Sequence, residues 1–231
     1  MEFRRNIEDK LKAWSQSPFR KPLVLRGARQ VGKTTAVKQF AVNYEQFIYL
    51  NLETDDAKSF EGERDIHKIV DRIFFLKDGE KGKADTLIFI DEIQEVPSAL
   101  NMLRYFYEEY PEYHVIAAGS LLESLFDRDV SFPVGRVDYL YMYPFTFGEF
   151  LEALGERNAL NAYRQVPVPD YAVDKLMQLF HTYTLVGGMP EAVYRYVVTK
   201  DLSQVKPVYD SLLLSYLDDV EKYAKTTNQM Q

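Results

Sequence analysis

The sequence predicts an α/β fold over residues 1–145, a parallel sheet sandwiched by helices, followed by a small helical domain over residues 146–231. Three observations point there. Short apolar runs alternate with segments of helical periodicity, the pattern of strands buried on both faces. A glycine-rich loop stands between the first apolar run and the helix that follows it. Beyond residue 146 strand patterns disappear while helical periodicity continues.

The elements follow in order. Ile7, Leu11 and Trp14 recur at i, i+4 and i+7, which makes residues 4–16 an amphipathic helix. Pro22-Leu23-Val24-Leu25 is a buried strand, and Val37, Phe40, Ala41 and Tyr44 line the next helix. Phe47 to Leu52 is rich in strand formers; Ile66, Ile69, Val70 and Ile73 mark a helix that fades into Gly79-Glu80-Lys81-Gly82-Lys83. Thr86 to Glu92 is a strand ending in two carboxylates. Pro97-Ser98 opens a helix with Leu100, Leu103, Tyr107 and Tyr110 on one face. Tyr113 to Ala118 and Val137 to Tyr143 complete the strands. Thr146-Phe147-Gly148-Glu149 is a capping box, and Pro167-Val168-Pro169-Asp170 leads into a helix lined by Val173, Leu176, Phe180 and Tyr183. Gly187-Gly188-Met189-Pro190 stops that helix and starts a short one with Val193 and Tyr196. Tyr209, Leu212, Leu213, Tyr216, Leu217 and Val220 line the last.

The loop after the first strand carries the chemistry. Gly27-Ala28-Arg29-Gln30-Val31-Gly32-Lys33-Thr34 fits Gly-x-x-x-x-Gly-Lys-[Ser/Thr], and Thr35 continues it. Glycines permit a tight bend whose main-chain amides face phosphate oxygens. Lys33 can reach the terminal phosphates and the Thr34 hydroxyl can sit on Mg²⁺. The nucleotide-binding set is therefore Gly27, Ala28, Gln30, Val31, Gly32, Lys33, Thr34 and Thr35, while Arg29 can touch phosphate or face solvent, and solvent is expected. Asp91, at the end of its strand, can hold the metal with Thr34, and Glu92 can orient and deprotonate water. A water-activating acid argues against a small-molecule kinase, which must exclude water. No Asn-Lys-x-Asp guanine-reading motif is present, so ATP rather than GTP is expected.

Two further residues join the catalytic candidates. Ser120 ends the strand after the Asp-Glu strand, where it can meet the γ-phosphate or the attacking water, or cap a helix at Leu121-Leu122-Glu123. Arg136, on a loop, can add positive charge to the transition state in its own or a neighbouring subunit's site, or be a surface arginine.

Composition narrows the classes. There is no cysteine, and three scattered histidines make no metal site. No apolar run nears the ~20 residues of a membrane helix, and no secretory leader is seen, so a cytoplasmic protein without membrane partners is expected. Residues 1–40 carry ten Lys/Arg against three Asp/Glu, within a net charge of −7. That basic stretch is read as cations around a polyanionic nucleotide plus solvated helix face, with a local nucleic-acid or acidic-partner patch as the other reading.

These motifs resemble the AAA-type ATP-binding proteins of bacteria and archaea. The resemblance rests on Leu25 to Thr35, on Phe89-Ile90-Asp91-Glu92-Ile93-Gln94 and on Val134-Gly135-Arg136. It continues through Pro144 to Phe150 and Leu185 to Val193. It implies a P-loop NTPase, AAA+-like core with ATP and Mg²⁺ as cofactors, and a helical lid beginning near residue 150. It also implies a further C-terminal domain of unknown function, so the chain is expected to be a fragment. The expected activity is ATP hydrolysis (ATP + water to ADP + phosphate) coupled to movement of the lid. A slow nucleotide-gated switch and a nucleic-acid-associated ATPase module are the alternatives. A homo-oligomer and a protein or nucleic-acid partner fit the class.

Overall fold

The computed structural model describes residues 3–120 and 135–228. They divide into two compact units, Arg5–Tyr143 and, together with Phe3 and Arg4, the described residues from Pro144 onward.

In the first unit five parallel strands form one sheet: β1 (Leu23–Arg26), β2 (Gln46–Asn51), β3 (Thr86–Asp91), β4 (His114–Ala118) and β5 (Asp138–Tyr141). Their spatial order is β2-β3-β4-β1-β5. Helices α1 (Asn6–Ser15) and α2 (Lys33–Ala41) supply one apolar layer, and α3 (Ile66–Leu76) with α4 (Pro97–Glu109) supply the other. The strand period of two sorts side chains between these layers. Leu23, Leu25, Leu87, Phe89, Ile116 and Ala118 pack with α1 and α2; Val24, Ile48, Leu50, Ile88, Ile90 and Val115 pack with α3 and α4. Every residue of β3 is buried, and its stretch Leu87–Ile90 accordingly reads as an apolar run between Thr86 and Asp91.

The elements form where periodicity places them, with small shifts. Phe106, rather than Tyr107, fills the α4 stripe with Leu103 and Tyr110, because its position in the turn lies closer to the buried side. Tyr44 lies just past the end of α2.

The second unit is helical: α5 (Phe147–Ala153), α6 (Arg157–Tyr163), α7 (Asp170–Val186), α8 (Pro190–Thr199) and α9 (Lys206–Asn228). Thr146 caps α5, accepting from the Glu149 amide while the Glu149 carboxylate accepts from the Thr146 amide at 2.8 Å. Phe145, Phe150, Val186, Val193 and Leu212 form one core, and Leu151, Leu160 and Leu176 anchor another. Gly187, with φ 73°, ends α7, and the Gly188 carbonyl accepts from the Phe145 amide at 2.7 Å. A side chain at Gly188 would press on the Phe145 carbonyl, so this turn is shaped by packing against the chain that precedes α5. Not every predicted stripe is covered. Leu212 is buried, whereas Leu213, Leu217 and Val220 are exposed along α9, because periodicity marks an apolar face without supplying its cover.

Candidate functional site

Parallel pairing sets the site at one edge of the first unit's sheet. Leu25 of β1 lies beside Ala118 of β4, and Ile90 of β3 beside Ala117. The glycine loop, Ser120 and the Asp91-Glu92 pair therefore leave neighbouring strands on the same, carboxyl-terminal edge, where ligands bind in open α/β sheets.

The loop bends as its glycines allow. Gly27 has φ 151° and Gly32 has φ 99°, and a Cβ on Gly27 would collide with the Met142 carbonyl. Gln30 also takes a positive φ of 60°. Such alternation of backbone hand curls main-chain amides toward one concavity. Ala28, Gln30 and Thr35 are exposed and Val31 is buried, tying the loop's crest to the core. Arg29 is exposed, as expected. Lys33 opens α2 with its ammonium inside the bend, donating to the Gly27 carbonyl at 2.8 Å and the Ala28 carbonyl at 3.0 Å.

Thr34 and Asp91 meet. The Thr34 hydroxyl donates to Asp91 Oδ2 at 2.7 Å, and the Tyr49 hydroxyl donates to the same oxygen at 3.3 Å. Asp91 Oδ1 accepts from the Glu92 amide at 3.1 Å. Burial pushes the Asp91 carboxyl above its ordinary range, opposed by the Thr34 hydrogen bond. Burial, followed by the Asp91 charge, pushes the Tyr49 hydroxyl up to about 12, so it stays a donor at neutral pH. Glu92 sits at φ 52°, in the left-handed region, and turns the chain out of β3.

Three contributors escaped sequence reasoning. Arg5, expected on a solvated face, is 6% exposed; it donates to the Val31 carbonyl at 3.3 Å and the Tyr143 carbonyl at 2.7 Å. Nothing local in the sequence marks it. Tyr49 was legible only as a strand former, although β2 pairs it with Phe89 beside Asp91. Gln94 donates from Nε2 to Glu92 Oε2 at 2.7 Å, and its place two residues after Glu92 was the available signal.

Ser120 lies at the end of β4, between the edges that carry the loop and Asp91. The helix it was read as capping lies outside the described residues. Arg136 is not brought to this site. It precedes β5 and pairs with Glu108 at 2.5 Å, near the end of α4. Asp138 is level with Leu23, so Arg136 lies about 20 Å along the strand direction from Gly27 at ~3.3 Å per residue. A parallel strand starts at the edge opposite its ligand end, so the expectation that Arg136 serves its own chain's phosphates fails.

Among the described residues, no group of three or more His, Cys, Asp or Glu side chains could hold a metal ion, and no helix is long and apolar enough to cross a membrane.

Comparison with known proteins bears on the family and the fold. A family model described as an AAA domain matches residues 19–151, more than half of the chain. The Walker-type ATPase PABY2304 of Pyrococcus abyssi superposes with a TM-score of 0.60 at 18% identity, over 96% of this chain and 76% of that one. PCH-2 of C. elegans gives a TM-score of 0.51 at 16% identity, over 87% of this chain and 64% of that one. At these identities the likeness is one of fold. Among curated proteins no sequence match is found.

Proposed function

The chain belongs to the AAA-domain family, and on that premise we propose that it binds ATP with Mg²⁺ and hydrolyses it to ADP and phosphate. The observation that carries this reading is the 2.7 Å contact between Thr34 Oγ1 and Asp91 Oδ2, directly after the glycine bend. A hydroxyl and a carboxylate at that spacing are hard oxygen donors suited to Mg²⁺, which needs one or two carboxylates beside nucleotide phosphates. A cation there also offsets the burial that disfavours charge on Asp91. Thr34 and Asp91 would hold the ion; when bound, it neutralises charge on the β- and γ-phosphate oxygens.

In this reading the chain's own groups divide the work. Loop amides of Gly27, Ala28 and Gln30 through Thr35 hold the phosphates, and the Lys33 ammonium turns from the loop carbonyls to phosphate oxygen. Glu92 orients a water molecule and takes its proton as the oxygen attacks phosphorus. Ser120 hydrogen-bonds the transferred phosphoryl group. Arg136 reaches a nucleotide only when a neighbouring copy of the chain presents it. Residues 1–145 are the ATPase core and residues 146–231 the helical lid, and turnover is coupled to conformational change.

Titration calorimetry with Mg²⁺ and ATP, followed by multiple-turnover phosphate release, tests the proposal. Lys33→Ala should weaken binding about 10- to 100-fold, the worth of a charge-assisted contact. Glu92→Gln should keep binding and lower kcat about 10²- to 10⁴-fold. Tight binding with equal, near-zero rates in wild type and Glu92→Gln would make the protein a nucleotide-gated switch. No binding would overturn the reading.

A further inference from the structure

Gln94 occupies the short 3-10 turn Ile93–Glu95 that follows the Asp-Glu pair, and it is 8% exposed. Its two amide atoms fare differently. Nε2 donates to Glu92 Oε2 at 2.7 Å, whereas Oε1 is buried with no hydrogen-bond partner among the described residues. An unsatisfied buried carbonyl is unfavourable for folding, and an apolar side chain of the same size would avoid that cost. The amide's visible contribution is its grip on Glu92.

Glu92 has reason to need that grip. A glutamate carries three side-chain torsions, and a base must sit within a narrow range of positions to take a proton. Its surroundings are acidic. Glu53 is held above the ordinary carboxylate range by burial first and then by the charges of Glu92, Glu95 and Asp91, with the Arg29 charge pulling the other way, so four acids and one cation share this neighbourhood. Repulsion among the neighbouring carboxylates favours Glu92 positions nearer water. A neutral donor fixed in the core resists this drift without itself titrating.

We propose that Gln94 is a positioning residue for the hydrolysis assigned above: its buried amide holds the Glu92 carboxylate where it accepts the proton of the attacking water. The inference rests on the ATPase reading and adds to it the group that aims the base. Bond changes are unaltered, since the water proton goes to Glu92 and the oxygen–phosphorus bond forms as the bond to ADP breaks.

Gln94→Leu and Gln94→Met in the full chain test the idea. Both keep the volume, remove the donor and remove the unsatisfied carbonyl. Each should retain the melting temperature of wild type or exceed it, keep ATP affinity within about threefold, and lose about 10- to 100-fold in kcat with KM unchanged. In a Glu92→Gln background, adding Gln94→Leu should cost no further rate, because the two groups act as one unit. Wild-type kcat in the single variants would overturn the proposal, and a raised kcat would show that Gln94 restrains the base instead of aiming it. An equal further loss in the Glu92→Gln background would also overturn it. The two readings fail differently: wild type without turnover removes the ATPase assignment and this role with it, whereas wild-type turnover unchanged by Gln94→Leu removes this role alone.

Discussion

The Arg5 guanidinium reaches two main-chain carbonyls, one at Val31 in the glycine loop and one at Tyr143 after β5. A planar fork of donors suits this double task, which a lysine's single ammonium does not reproduce. Arg5→Met should cost about 2 kcal/mol or more, since two carbonyls lose a charged partner in a largely buried setting. Denaturant midpoints for Arg5→Met and Arg5→Lys, both below wild type with Met lowest, would bear this out. ATP affinity should fall in parallel because the loop's crest loses a tether. At this scale the glycine loop and the Asp-Glu pair were legible because their chemistry is contiguous in the chain. Arg5 and Tyr49 were not, since each acquires its partner only through long-range folding.

Where α1, α2 and β4 converge, the Tyr44 hydroxyl and His114 Nδ1 share a hydrogen bond with the Trp14 ring edge-on to the imidazole. Burial, then the nearby Arg20 charge, pulls the His114 imidazole down to about 4, with Asp85 pulling the other way. Burial likewise pushes the Tyr44 hydroxyl up to about 12. The sign follows from linkage: between pH ~6.5 and about 4 the unfolded chain binds the proton that the folded chain refuses. This contribution to stability is complete above pH ~6.5 and is lost as pH falls toward about 4. His114→Phe should flatten that slope, saving roughly 1 kcal/mol of the loss between pH 7 and pH 5 after allowance for partial solvent screening. Urea midpoints at the two pH values measure it, and parallel losses in both proteins would refute it. Periodicity found these elements, yet gave no hint that their ends would meet over a neutral imidazole.

Across the whole sheet, strand direction separates what the sequence left together. Ser120 belongs to the ligand edge, whereas Arg136 belongs to the opposite one. Arg136→Ala should therefore leave ATP affinity unchanged in dilute solution, where chains are apart, and calorimetry at low protein concentration decides the point. A tenfold loss of affinity there would contradict the strand order. The fold class itself was readable, because strands buried on two faces must be apolar throughout and helices with one buried face must repeat near 3.6 residues. The glycine spacing was readable because a phosphate bend is local and needs particular backbone freedom at Gly27 and Gly32. Other facts came only with three dimensions: the order β2-β3-β4-β1-β5, the Thr34–Asp91 contact, the Arg5 tether, the Gln94 grip and the bare stripe of α9. Periodicity and local motifs are written along the chain, whereas strand neighbours, and which apolar faces find cover, depend on how distant segments compete for the same space.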